Sequence, residues 1–197
     1  MFRIVVLVAF SFCLSCPRHL VSDETDPPVS RPRLIVLTDI GGDPDDTQSL
    51  VRLLVHADLF EIEGLIASAS GTPGELKQAV VRPDLISEGV RRYGEVRENL
   101  KRHADGFPTH QQLMRVITSG NPQRGLDHIG DEHDTDGSRW IISVVDQPDQ
   151  RPVNIAIWGG QTDLAQALWR VKSDRTEQGY RAFVDRIRVF DIADQDG

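Results

Sequence analysis

The chain has 197 residues, enough for one domain with a sizeable core. Hydrophobic residues make up 39% and charged residues 26%, an ordinary balance for a globular protein. The formal net charge of −8 leaves no basic surplus to meet phosphates, which argues against a nucleic-acid polymer or an anionic membrane surface as partner.

The first residues read as an export signal. Arg3 gives a minimal positive start, residues 4–14 are an almost unbroken apolar run, and Ser15-Cys16-Pro17 follows. The run is too short to span a bilayer comfortably and suits a signal h-region. A buried N-terminal strand or helix is the competing reading. The expected organisation is a signal peptide over 1–16, a proline-rich linker over 17–32 and a folded domain over 33–197. The expected location is periplasmic or extracellular. Small residues before Cys16 resemble a lipoprotein cleavage site, although Cys13 stands where leucine is usual. Cys13 and Cys16 are the only cysteines, so the mature domain has no disulfide.

Residues 34–37, Leu-Ile-Val-Leu, form a continuous apolar run, as in a strand buried on both faces of a parallel sheet. An acidic turn follows, then a helix over 46–56 with Leu50, Leu53, Leu54 and Ala57 on one face and Asp45 or Asp46 as N-cap. His56 falls at its C-terminal end. A second strand is expected over 64–69, ending in the small residues Ser70-Gly71-Thr72-Pro73-Gly74. Helical sequence covers 75–103, interrupted by Pro83. A short helix is expected over 110–119, with Leu113, Val116 and Ile117 inward. The polar stretch 127–137, which includes His128, Asp131, His133 and Asp134, reads as a loop over a cleft mouth, with a metal site as the alternative. Ser138 is the expected cap of the next helix. A third strand covers 153–158, the turn Gly159-Gly160-Gln161-Thr162-Asp163 leads into a helix, and a last helix over 178–186 leads to a fourth strand over 187–192. Strands alternating with helices predict an α/β fold with a parallel, helix-covered sheet.

The acidic turn, residues 38–46, holds four carboxylates and two glycines. Carboxylates crowded this closely repel one another unless a cation sits among them, and hard oxygen ligands suit Ca²⁺ or Mg²⁺. A metal there would lower the pKa of a bound water, and a neighbouring carboxylate would take the proton. Helix capping accounts for one or two of the four. Asp43-x-Asp45-x-Thr47 also has the spacing of the nucleophile loop of haloacid-dehalogenase-type phosphatases, but Gly41 and Gly42 separate it from the strand.

Thr38-Asp39, Gly41 and Asp45-Asp46 resemble the N-terminal fingerprint Asp-x-Asp-Pro-Gly-x-Asp-Asp of the inosine-uridine-preferring nucleoside hydrolases. Residues 37–46 together with 49–54 resemble, more specifically, the nucleoside-hydrolase-like domain of bacterial exported proteins once called cellulose-binding. Residues 66–72 resemble the family's second strand and its ribose-contacting Asn, here Thr72. Residues 158–165 resemble its Thr-Gly-Pro-Leu-Thr-Asn-Leu-Ala turn. The resemblance spans residues 33–197. It implies a Rossmann-like open, mostly parallel sheet with helices on both faces. It further implies a Ca²⁺ ion, with Mg²⁺ the other candidate, that holds sugar hydroxyls and the attacking water. Carried over, Asp46 is the bidentate metal ligand. Asp45 orients sugar and water, as a catalytic and substrate-binding residue. The carbonyl of Trp158 is a backbone metal ligand. Asp39 is the leading ligand and base, with Asp43 the alternative for that place. Two departures stand out. Thr72 is shorter than Asn. The family's further Asp ligand and leaving-group acid lie in a C-terminal part that has no counterpart before Gly197, so the domain is expected to be truncated.

The activity this implies is metal-dependent hydrolysis of an N-glycosidic or related glycosidic bond in a small nucleoside or carbohydrate substrate. A non-catalytic carbohydrate-binding module and an inactive remnant are the alternatives. No membrane span is expected, and homo-oligomerisation is left open.

Overall fold

The structure, a computed structural model, describes residues 30–42, 44–69 and 80–192. The export segment, Asp43 and Thr72 lie outside the described residues. Among the described residues, five strands form one all-parallel sheet in the order β3-β2-β1-β4-β5. The strands are β1 (Arg33–Thr38), β2 (Glu61–Ala67), β3 (Ile117–Ser119), β4 (Val153–Ile157) and β5 (Ile187–Asp191). The helices are α1 (Asp45–Val55), α2 (Pro83–Leu100), α3 (His110–Met114), α4 (Asp136–Val145), α5 (Thr162–Asp174) and α6 (Glu177–Val184). None of them is long and apolar enough to cross a membrane.

β1 is central, and all six of its residues are buried. Its alternate side chains feed two cores. Leu34 and Val36 pack with Leu50, Leu53 and Leu54 of α1, Ile86 and Val90 of α2, and Leu113 of α3. Ile35 and Leu37 pack with Ile141 and Val144 of α4, Leu164 and Val171 of α5, and Phe183 of α6. The unbroken apolar run of β1 is therefore explained by helices on both faces of the sheet. At the far edge, β5 leaves Val189 49% and Phe190 62% exposed.

Several local expectations change. Residues 110–119 are not one helix: α3 stops at Met114, and Ile117–Ser119 pairs with Leu65–Ala67 as β3. Thr109 closes a capping box with Gln112 at the N-terminus of α3, and β-branched Ile117 and Thr118 then suit the sheet edge. Pro83 does not interrupt a helix but starts α2, where its missing N–H costs nothing. Thr135, not Ser138, is the N-cap of α4; its hydroxyl accepts from Ser138 N–H while Ser138 Oγ accepts from Thr135 N–H. Pro44 holds the cap position of α1 with no side-chain bond, and Asp45 and Asp46 occupy the first turn.

The strand order has a functional consequence. The chain leaves β1 for β2 and β3 on one side, then returns to place β4 and β5 on the other. The order reverses between β1 and β4, and the crevice at the carboxyl ends of such a pair is where open α/β sheets bind ligands.

Candidate functional site

The acidic turn leaves β1 at that crevice. Thr38, the last residue of β1, is 1% exposed. Its hydroxyl donates a short hydrogen bond to Asp46 Oδ2 and accepts from the Ile40 N–H at 3.2 Å. The turn is thus tied to the strand it leaves. Gly41 adopts φ 109°, a conformation L side chains rarely reach, and a Cβ there would also lie 3.0 Å from Leu85 of α2.

Asp39 and Asp46 are both buried, at 7% and 4% exposure. Asp46 is hydrogen-bonded to the side chain and to the backbone of Asp39. Burial pushes the Asp46 carboxyl above the ordinary carboxylate range and the nearby charge of Asp45 adds to this, while hydrogen bonds from Asp39 and Thr38 work in the opposite direction. Asp45 itself is exposed, and its Oδ1 accepts from the Asp46 N–H at 2.7 Å.

The turn after β4 closes the other side. The Trp158 N–H donates to the Leu37 carbonyl at 2.9 Å, which carries the β1–β4 pairing to the end of the strand. Gly159 then passes so close to Asp39 that a Cβ would meet Asp39 Cβ and Cγ at 2.7 Å. The structure therefore brings together Asp39, Asp46, Thr38 and the Trp158–Gly159 backbone, with Asp45 at the rim. Beside α1 a groove of about 470 Å³ is lined by Ser49, Arg52, His56, Phe60 and Trp158 among others.

A second buried polar centre, which sequence reasoning missed, stands at the start of α5. Asp163 is fully buried, and its two oxygens accept from the Asn121 N–H at 3.0 and 3.1 Å. Thr135 Oγ1 donates to it at 2.5 Å. A Cβ on Gly120 would fall 2.0 Å from Asp163 Oδ2, so only glycine fits there. Thr162 and Gln166 extend the network by accepting from the Gly125 and Gly130 N–H groups. The polar stretch 127–137 is held by these contacts and by Arg170, which pairs with Asp134 at 3.0 Å. The available signal was the run Gly-Gly-Gln-Thr-Asp before a helix, and nothing in it revealed a partner 42 residues upstream.

Among the described residues no three of His, Cys, Asp and Glu gather as a metal-holding group, at 127–137 or elsewhere. Asp39 and Asp46 do fit a hard cation in donor chemistry. They are two buried carboxylates in hydrogen-bonded contact, whose repulsion is relieved by a shared proton or by a cation. They account for two side-chain ligands; backbone, hydroxyl, ligand or water oxygens would fill the rest.

Fold and crevice together define an α/β domain of the doubly wound type with an acidic turn at its switch point. A family model described as "Cellulose-binding Sde182, nucleoside hydrolase-like domain" matches residues 33–197, and the chain belongs to this family. A solved structure of a nucleoside hydrolase-related hypothetical protein from Saccharophagus degradans, associated with carbohydrate metabolism, is similar with a TM-score of 0.79 and 37% identity. The match covers 85% of this chain and 40% of that one, so this chain spans less than half the length of its structural relative. No curated protein matches the chain.

Proposed function

We propose that this domain hydrolyses an N-glycosidic or related glycosidic bond at a divalent-cation site, Ca²⁺ in preference to Mg²⁺, built on Asp39 and Asp46. The observation that carries the reading is the buried Asp39–Asp46 carboxylate pair at the β1–β4 switch point. The cation, when bound, would polarise a sugar hydroxyl and a water. Asp46, fixed by the Thr38 hydroxyl, holds the site in register with β1. Asp39 accepts the proton of the attacking water. Asp45, exposed at the rim, orients the sugar, and the Trp158 carbonyl supplies a backbone oxygen. Water oxygen bonds to the anomeric carbon as the bond to the leaving nitrogen or oxygen breaks, and the leaving group takes a proton from solvent. The reading is also supported by the family description and by the carbohydrate association stated for the S. degradans protein. The apolar segment before Cys16 makes export part of the same proposal.

The test is a panel of nucleosides and oligosaccharides incubated with the protein and Ca²⁺. Release of free base or reducing sugar, abolished by EDTA and by Asp46→Ala, is the expected result. Saturable sugar binding with no turnover across the panel would replace hydrolysis by a non-catalytic carbohydrate-binding role.

A further inference from the structure

Ser68 follows β2 directly and is 1% exposed. Its Oγ has no hydrogen-bond partner among the described residues, while its backbone N–H donates to the Thr38 carbonyl at 2.8 Å. A buried hydroxyl left without a partner is uncommon, because it loses water and gains nothing in return. The strand register fixes the neighbour of Ser68. The β1–β2 register pairs Thr38 with Ala67, so the next step along both strands sets Ser68 beside Asp39, across a spacing of about 4.8 Å. Strand alternation puts both on one side of the sheet. Leu37 and Ile66 lie in the core beneath α4 and α5, and Asp39 and Ser68 are each two residues further on.

We propose that Ser68 Oγ is a neutral oxygen ligand of the cation held by Asp39 and Asp46. The inference rests on the cation site proposed above. Two carboxylates already balance a divalent charge, so the remaining positions of a six- to eight-coordinate ion are best filled by uncharged oxygens. A hydroxyl beside Asp39 supplies one, and the ion in turn supplies the partner that the hydroxyl lacks. An alanine here would leave no hydrogen bond unmade, since the Ser68 hydroxyl has none among the described residues.

The test compares the full chain with its Ser68→Ala variant by calorimetric Ca²⁺ titration and by thermal melting with EDTA. The expected result is that Ser68→Ala melts no lower than wild type without metal, having lost only an unpartnered group, yet binds Ca²⁺ about tenfold more weakly. Wild-type binding with unchanged affinity in Ser68→Ala overturns the assignment of Ser68 and leaves the Asp39–Asp46 site standing. A lower metal-free melting point in the variant overturns it as well, because the hydroxyl would then serve the fold. No heat with the wild-type chain overturns the cation site itself.

Discussion

Asp46 and Asp163 are both buried aspartates in the first turn of a helix that follows a central strand, α1 after β1 and α5 after β4. Their surroundings differ in kind. Asp163 is met by donors, the Asn121 N–H and the Thr135 hydroxyl, and ties the loop after β3 and the start of α4 to α5. Asp46 has the Thr38 hydroxyl on one side and a second carboxylate, Asp39, on the other. A buried carboxylate ringed by donors is complete as a structural anchor. One that shares its burial with another acid stays in want of positive charge. The contrast separates the part of the crevice that holds the fold from the part where a ligand is proposed.

The largest effect that would sharpen this contrast is on Asp163. Asp163→Ala strands two donors at once and is expected to destabilise the fold by about 3 kcal/mol, read as a lower urea midpoint and unaffected by Ca²⁺. Equal loss from Asp46→Ala in metal-free buffer would erase the distinction. Next comes the cation. Ca²⁺ at a hundred times its dissociation constant should raise wild-type stability by about 2.7 kcal/mol, and Asp46→Asn should lose that gain while unfolding no earlier than wild type in EDTA. Gly159→Ala, whose Cβ would collide with Asp39 at 2.7 Å, is expected to cost about 2 kcal/mol and to weaken Ca²⁺ binding together with stability.

The smallest effect is on pH dependence, and its sign differs between two acids. At the opposite end of the sheet Asp149 is held well below the usual carboxylate range, chiefly by its hydrogen bonds from the Arg151 side chain and backbone. Its folded-state pKa is depressed, so its contribution is complete above the unfolded value of about 4 and is lost as pH falls below it. Asp46 is shifted upward by burial, so the metal-free fold loses stability as pH rises from the ordinary carboxylate range through the raised value. Asp149→Asn should flatten the acid limb of a stability-versus-pH curve, whereas Asp46→Asn should flatten the limb above it.

The contrast also marks what could be read from sequence. The apolar run of β1, the acidic turn, α1 and the glycine turn after β4 were legible because hydrophobic periodicity and glycine carry their own local signal. The strand Ile117–Ser119 was not, since three residues give no period and its pairing with β2 is a tertiary fact. The role of Asp163 was hidden for the same reason: its donors arrive from residues 121 and 135, brought close only by the fold. Thr38 reads as the first residue of the acidic turn in sequence, and its hold on Asp46 emerges only when the helix turns back over it. Arg33, fully buried and paired with Glu63 at 2.7 Å, likewise looks like an ordinary polar flank until the sheet closes around it.

The central claim is that the Asp39–Asp46 pair holds a divalent cation. Its most direct test is a calorimetric Ca²⁺ titration of the wild-type chain and of Asp46→Asn at neutral pH, repeated in two buffers of different ionisation enthalpy. The expected result is saturable heat with wild type, proton release as the ion displaces the proton shared by the pair, and no heat with Asp46→Asn. A wild-type titration without heat in either buffer, or equal binding by Asp46→Asn, would contradict it.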